Sequence, residues 1–400
     1  MKILVADKFS DTAVASLKEQ GHTVRIEPGL KGGALTEAIA EFEPVALVVR
    51  STKVTGADLD ASPSLELVVR AGAGVDTIDV EGASRRGIFV ANCPGKNAVA
   101  VAELAFGLIL ALDRRIADNV QSARAGEWNK AAFSKAEGLR GKTLGLLGLG
   151  SIGQEMVTRA KAFGMHVIAW SRSLTDRAAA DLGIERAESP LAVASRADIA
   201  SIHVASTPDT RHLVGEEFLA AMKPGAFLVN TARATVVDEA AVARALDERG
   251  LRFATDVPAG EPADKQGSFE HPLAKHPNVY ITHHIGASTE EATEAIGQEA
   301  GRVLSVYAAT GRVLNGVNLA ERTPATHLLT VRHRDRVGVL AAVLDEVSRA
   351  NWNVQEMENL VFAGAEAACA RIKFDGRPNA ETLRAIRGQD NVLAATILAL

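Results

Sequence analysis

The stretch KTLGLLGLGSIGQEMVTRAKAFG, residues 142–164, decides the fold of this chain. An apolar run that reads as a strand leads directly into Gly148-x-Gly150-x-x-Gly153, and these glycines open a helix. Alone, the pattern is weak. Between a strand and a helix its mechanism is complete: a tight turn, close approach of backbone to a pyrophosphate, and a helix N-terminus carrying partial positive charge. Gly148, Gly150, Ser151, Ile152 and Gly153 are therefore candidates to hold the phosphates of a dinucleotide.

Downstream of this turn the apolar runs HVIAWS, ADIASIHV, GAFLVNTA, RFATDV and NVYITHH follow, separated by helical stretches. With KTLGLLGLG they make the six strands of a Rossmann-type, doubly wound α/β sheet. Upstream, KILVAD, PVALVVR, LELVVRAG and GIFVAN also alternate with helices. Runs apolar on both faces indicate a parallel sheet covered on both sides. After NGVNLAERTPA the order becomes strand THLLTVRH, helix VGVLAAVLDEVSRA, strands NVQEMENLVF and EAACARIKF, helix NAETLRAIRG and strand NVLAATIL. That is the ferredoxin-like β-α-β-β-α-β plan, with its boundary expected between Glu321 and Pro324.

At 400 residues the chain exceeds one ordinary core and suits two or three domains. Its 47% hydrophobic and 23% charged residues are a globular composition. A net charge of −5 gives no electrostatic case for nucleic-acid binding. Cys93 and Cys369 lie far apart, with neither metal-ligand spacing nor a disulfide framework. The run VAVAELAFGLILAL, residues 99–112, is interrupted by Glu103 and is shorter than a membrane span. The N-terminus reads as a first strand rather than a signal peptide. A soluble, cytoplasmic protein without a metal centre is expected.

About 20 residues beyond such a glycine turn, an acidic residue ordinarily binds the ribose 2′-hydroxyl. Here the strand ends VIAWSRS, placing Ser171 and Arg172 at that point. A carboxylate would repel a 2′-phosphate; serine does not, and arginine can pair with one. NAD and NADP both stay open.

Ligands of open α/β sheets bind beyond the carboxyl ends of the strands. Three strands of the second set lead there to Arg233, Glu261 and the pair His283–His284. An anion-binding arginine, a general acid/base and a carboxylate that tunes it suit oxidation of a 2-hydroxy acid. Strand alternation within NVYITHHIGAST, residues 278–289, predicts that the two histidines point to opposite faces, so only one serves the site.

The motifs KTLGLLGLGSIG, VNTARATVVDEAAV, DVPAGEP and THHIGAST, with VVRSTKVT, VRAGAGVDTID and NCPGKNAVAVAEL before them, resemble the D-isomer-specific 2-hydroxyacid dehydrogenase family in family order. The resemblance implies a discontinuous, flavodoxin-like substrate domain of residues 1–97 and 290–320 around an NAD(P)-binding domain of residues 98–289. It makes Arg233 the substrate-binding arginine, His284 the acid/base and Glu261 its partner. In the family's Thr-Pro-His-Ile-Gly motif, His283 fills the proline slot. Ala234 stands where glycine is common after the arginine. His203, Thr207, Thr231, Ala232 and Asp256, with Arg233 and His284, complete the implied cofactor site.

A phosphorylated substrate wants several cations, and Arg50, Lys53, Arg70, Lys96, Lys130 and Lys135 are candidates. The small residues Ala73, Gly74 and Val75 offer backbone amides to a carboxylate, and Asn97 completes this side. In the family Arg50, Arg70 and the Lys130 position lie near the phosphate, the last commonly an arginine. With these cations, the resemblance implies oxidation of 3-phosphoglycerate with NAD or NADP, at the entry to serine synthesis. The rivals are a glyoxylate or hydroxypyruvate reductase and a non-catalytic sensor on the same fold. Residues 325–400 resemble the ACT module, in which a His and two Asn hold serine between paired modules. His333 and Asn353 match, while Asp335 replaces the first Asn and Val337 a Pro. The resemblance therefore implies an amino-acid effector, serine, and a homo-dimer or homo-tetramer.

Overall fold

The computed structural model describes residues 1–262, 267–320 and 322–400. Its first sheet is parallel and contains β1 (Lys2–Val5), β2 (Thr23–Ile26), β3 (Ala46–Val49), β4 (Leu67–Arg70) and β5 (Phe89–Ala91), in the order β2-β1-β3-β4-β5. That is the flavodoxin-like order. Leu35, Ile39, Leu47 and Val68 fill one face of it. On the other face Ile3, Val5, Leu17, Val48 and Val69 pack against Ile296, Val303 and Leu304 of the late helix Glu290–Thr310. Glu294 of that helix accepts hydrogen bonds from the Ser10 and Thr12 hydroxyls. Residues 290–310 thus return to the first sheet, although the second sheet lies between them in sequence. The edge strand β2, TVRI, carries no apolar run, and sequence reading passed over it.

The second sheet is also parallel: β6 (Thr143–Leu147), β7 (His166–Trp170), β8 (Glu185–Arg186), β9 (Ile199–Ile202), β10 (Phe227–Asn230), β11 (Arg252–Thr255) and β12 (Val279–Ile281). Its order is β12-β11-β10-β9-β6-β7-β8. The sequence foreshadowed six of these strands. The seventh, β8, is a two-residue edge with no periodicity to read. The order reverses beside β6, so the glycine turn after β6 lies at the crevice where such sheets bind ligands.

A third, antiparallel sheet holds β13 (His327–Arg334), β14 (Asn353–Val361), β15 (Ala367–Asp375) and β16 (Val392–Ala399) in the order β14-β15-β13-β16. With helices Val339–Arg349 and Ala380–Arg387 it is ferredoxin-like, around Leu329, Val331, Val343, Ile372, Ile386 and a Trp352–Phe374 stack with centroids 4.4 Å apart. The chain divides into Met1–Asn318 and Leu319–Leu400. Asn318 closes the first unit: its side chain accepts from the Val90 amide and donates to the Ile88 carbonyl, each at 2.9 Å. The boundary therefore falls slightly before the expected one, of which Glu321 lies outside the described residues. Among the described residues, no helix is long and apolar enough to cross a membrane.

Candidate active site

The turn after β6 requires glycine for two separate reasons. Gly148 has φ +96°, and a Cβ there would stand 2.7 Å from the His203 carbonyl. A Cβ at Gly153 would stand 2.5 Å from the Gly148 oxygen, so its absence lets helix Ser151–Ala162 close on the turn. At Gly150, by contrast, a Cβ would meet nothing within 4 Å. This open space lies at a helix N-terminus that no side chain caps, where backbone amides suit a pyrophosphate.

Two buried atoms nearby have no partner: Thr231 Oγ1 and His203 Nδ1. The other ring nitrogen of His203 lies 2.8 Å from Ser201 Oγ, and burial pushes the imidazole down to about 3. The ring is therefore neutral at physiological pH and suits an uncharged ligand group. Open space at Gly150 and orphaned polar atoms at Thr231 and His203 fit a dinucleotide. Ser171 and Arg172 follow β7, and the exposed Arg172 guanidinium sits 3.8 Å from the Asp209 carboxylate. The Thr207 amide donates to Thr210 Oγ1 and the Ala232 amide to Asn230 Oδ1, so both turns are internally braced.

Asp256 has a structural part beside the cofactor contact expected of it. The buried carboxylate accepts from Thr282 Oγ1 (2.6 Å) and from the amides of Ile285 (2.9 Å) and Gly286 (2.8 Å). It clamps the loop that carries the histidines. The alternation argument for those histidines also fails, because β12 ends at Ile281 and both histidines are exposed in the following loop. What orients His284 is the Asp256 clamp and its own left-handed backbone, φ +52°, a region that His tolerates better than most residues. Its Nδ1 lies 2.8 and 3.0 Å from the two Glu261 carboxylate oxygens. A carboxylate only accepts, so the proton is assigned to Nδ1 and the Nε2 lone pair is left free. His283 has no hydrogen-bond partner among the described residues.

Arg233 follows β10 and donates to Asp76 and to the Ala232 carbonyl. It lies against Gly74. The amides of Ala73, Gly74 and Val75 donate to no group among the described residues. Arg70, at the end of β4, has a buried Nε without a partner and pairs with no carboxylate among the described residues. Burial, then repulsion from Arg233 and Arg50, lowers its affinity for its proton. Among the described residues, the Arg50 guanidinium meets only the Ala287 carbonyl (3.3 Å) and Thr293 Oγ1 (3.4 Å). Three arginines thus converge with free amides beside them, an arrangement built for anions.

Asp7, which stands in none of the motifs, holds Arg50 in place. Its carboxylate accepts from the amides of Arg50, Ser51 and Thr52 at 2.7–3.0 Å. Burial works against the charge, but these amides and the Ser51 hydroxyl hold the carboxyl below its ordinary range.

The remaining cations part company with the cluster. Lys96 is spent on the buried Glu299 carboxylate at 3.6 Å. Lys53, Lys130 and Lys135 are exposed and make no ion pair with a described residue. Lys130 opens a short helix, Lys130–Phe133, that buries no residue. Asn97, at the start of helix Ala98–Arg114, has a side chain that caps nothing.

Glu239 was also missed. One of its oxygens accepts from the Ala259 amide at 3.0 Å, and the other lies 2.8 Å from His271 Nε2. His271 Nδ1 accepts from the Leu273 amide, which puts the ring proton on Nε2, facing Glu239. The pair is well buried and pins the loop two residues before Glu261. Glu239→Ala is expected to cost roughly 1–3 kcal/mol of stability for the unpaired groups left behind. It should also lower kcat about tenfold (~1.4 kcal/mol) by releasing Glu261. Steady-state rates beside thermal melts check this, and an unchanged kcat would show that the loop is held by other contacts.

In the C-terminal module the three effector candidates do not come together. His333 is buried, with Nδ1 2.8 Å from the Arg334 carbonyl and Nε2 3.2 Å from Asn359 Oδ1. Asn353 pairs with Asp375 while His333 pairs with Ala368, so within one module they lie at opposite ends of β15, roughly 23 Å apart at the usual strand rise. Asn359 is the amide that meets His333. The Asp335 carboxylate has no partner among the described residues.

The glycine turn, the paired His284 and Glu261 and the arginine cluster combine a dinucleotide-type phosphate turn, a general acid/base pair and an anion site in one α/β protein. The profile of the D-isomer specific 2-hydroxyacid dehydrogenase, NAD binding domain, matches residues 106–286. A D-3-phosphoglycerate dehydrogenase of Mycobacterium leprae is 38% identical over 372 residues, covering 91% of this chain and 68% of that one. A hydroxypyruvate reductase of Thermotoga maritima is 42% identical over 299 residues, covering 74% and 95%. Among solved structures, the NAD+-bound 3-phosphoglycerate dehydrogenase of Entamoeba histolytica superposes with a TM-score of 0.67 at 27% identity, covering 80% and 99%. The chain belongs to the D-isomer specific 2-hydroxyacid dehydrogenase family. It spans 55–68% of the length of the curated D-3-phosphoglycerate dehydrogenases it matches.

Proposed function

We propose that the protein oxidises D-3-phosphoglycerate at C2 to 3-phosphohydroxypyruvate with NAD, the first step of serine biosynthesis. The observation that carries this reading is Arg70, whose buried Nε has no partner and whose guanidinium pairs with no described carboxylate, beside Arg50 and Arg233. One arginine suffices for a carboxylate; three converging cations suit a substrate with a second anion. The similarity to the M. leprae enzyme over 91% of the chain supports the same choice.

A bound nicotinamide ring supplies the hydride acceptor. Arg233 and the amides of Ala73, Gly74 and Val75 hold the substrate carboxylate and so fix the position of C2. His284 Nε2 takes the C2 hydroxyl proton, and the Glu261 carboxylate at Nδ1 stabilises the resulting imidazolium. Arg70 and Arg50 take the phosphate.

Removing charge at Arg70 or Arg50 should raise KM for 3-phosphoglycerate far more than for D-glycerate. The loss of a charged hydrogen bond costs roughly 1.5–3 kcal/mol, about tenfold or more in KM. Steady-state kinetics of the purified protein on both acids tests the proposal. Equal effects on the two acids, or no preference for the phosphorylated one, would sink it.

A reductase acting on glyoxylate or hydroxypyruvate is the second reading. It is favoured by Ser171–Arg172 and by the T. maritima relative, 95% of whose length is matched. A non-catalytic sensor is disfavoured by the retained Arg233, Glu261 and His284. The C-terminal module is proposed to take an amino-acid effector such as serine, or to join copies as a homo-dimer or homo-tetramer. The unpartnered Asp335 carboxylate supports the first role, as it would meet an effector ammonium.

A further inference from the structure

We infer that Asp76 is a positioning residue for Arg233, fixing its guanidinium so that two N–H groups face the substrate carboxylate. The inference rests on the reading of Arg233 as that carboxylate's partner. One oxygen of Asp76, Oδ2, accepts from Arg233 Nε at 3.0 Å and from Nη2 at 2.9 Å. Arg233 Nη1 donates to the Ala232 carbonyl at 2.7 Å. A guanidinium carries five N–H donors. With these three taken, one remains on each terminal nitrogen, the pair that a carboxylate can accept bidentately.

Gly74 makes the arrangement possible. A Cβ there would stand 2.1 Å from Arg233 Nη2 and 2.8 Å from Asp76 Oδ2. Gly74, whose amide and those of its two neighbours donate to no described residue, thus lies directly against the guanidinium. Asp76 also supplies negative charge that offsets the mutual repulsion of Arg70, Arg50 and Arg233. Were Asp76 instead a stand-in for substrate, it would hold the face that substrate needs. The donor count leaves two N–H groups for that face.

Asp76→Ala tests this through KM for D-glycerate and 3-phosphoglycerate, and through calorimetric binding of oxalate to the NAD-loaded protein. KM and the oxalate Kd should each rise about tenfold or more, as expected when charged hydrogen bonds lose their hold. The factor should be the same for both hydroxy acids, because the carboxylate is common to them. Asp76→Asn keeps an acceptor oxygen and should recover part of the loss; being isosteric, it carries the test if the alanine variant does not fold. In an Arg233→Lys background, Asp76→Ala should add less than about twofold. A fall in KM or in the oxalate Kd would make Asp76 a competitor of substrate. Unchanged values, or a full additional loss in the Arg233→Lys background, would make it merely structural. Either overturns the inference. If 3-phosphoglycerate proves not to be preferred, the proposed function fails while the oxalate measurement still decides the part played by Asp76.

Discussion

Replacing His284 is expected to lower kcat by ~10²–10⁴-fold, the usual worth of a general acid/base, while His283→Ala leaves most of the activity. His284 Nδ1 is held by both oxygens of Glu261, which leaves Nε2 to accept the substrate proton. His283 precedes it in the same loop and bonds to no described residue. The backbone at His284 complicates the simplest variant. At φ +52° an alanine is strained, by roughly 1–2 kcal/mol. His284→Asn removes the base and tolerates the left-handed conformation, so it should show the same loss of kcat with a nearly unchanged Tm. Single-turnover and steady-state rates for both positions, read beside thermal melts, check the prediction. Equal losses at 283 and 284 would remove His284 from its role.

That choice between neighbours shows where the sequence was legible. The family slot singled out His284 correctly as the partner of Glu261, but strand alternation was the wrong reason. Alternation holds only while the chain is extended, and here the strand ends at Ile281 and a left-handed residue turns the chain. The glycine turn was readable because its logic is largely local: strand, turn and helix are contiguous, Gly148 answers a positive φ, Gly153 a contact five residues back and Gly150 an open space. The edges β2 and β8 were not readable, being polar or two residues long.

The supporting carboxylates were beyond reach for another reason. Asp76 and Arg233 are 157 residues apart, Asp7 and Arg50 are 43 apart, and Glu239 and Ala259 are 20 apart. A sequence shows that each carries charge or a donor, not which partner the fold delivers. The same limit hid Asp256 as the clamp of the histidine loop and Lys96 as the partner of Glu299. Arg50, Arg233 and Glu261 stand in motifs; that Asp7, Asp76 and Glu239 brace them emerges only from the fold.

Cofactor choice is the other place where a single side chain should have a large effect. The unmodified protein is expected to use NAD and to accept NADP within about tenfold in kcat/KM, a gap of ~1.4 kcal/mol. Ser171 stands at the end of β7 where an acidic residue ordinarily meets the ribose, so nothing there repels a 2′-phosphate. Arg172 is exposed, and its only ion pair among the described residues is a loose one with Asp209 at 3.8 Å. Exposed pairs of this kind are worth about 0–1 kcal/mol, too little to withhold the guanidinium from a dianionic phosphate. Asp209→Asn should therefore improve NADP use slightly and leave NAD use alone. Ser171→Asp should act in the opposite sense and more strongly. It places a carboxylate beside the phosphate, and like charges so juxtaposed cost several kcal/mol, which lowers kcat/KM for NADP by ~10²–10³-fold. The same carboxylate gives the 2′-hydroxyl of NAD an acceptor that serine supplies less well, so kcat/KM for NAD should hold or rise. Measuring both cofactors on the unmodified protein and on the two variants decides the matter. A preference for NAD above about a thousandfold (~4 kcal/mol) in the unmodified protein would mean that some group other than the residue at 171 excludes the phosphate.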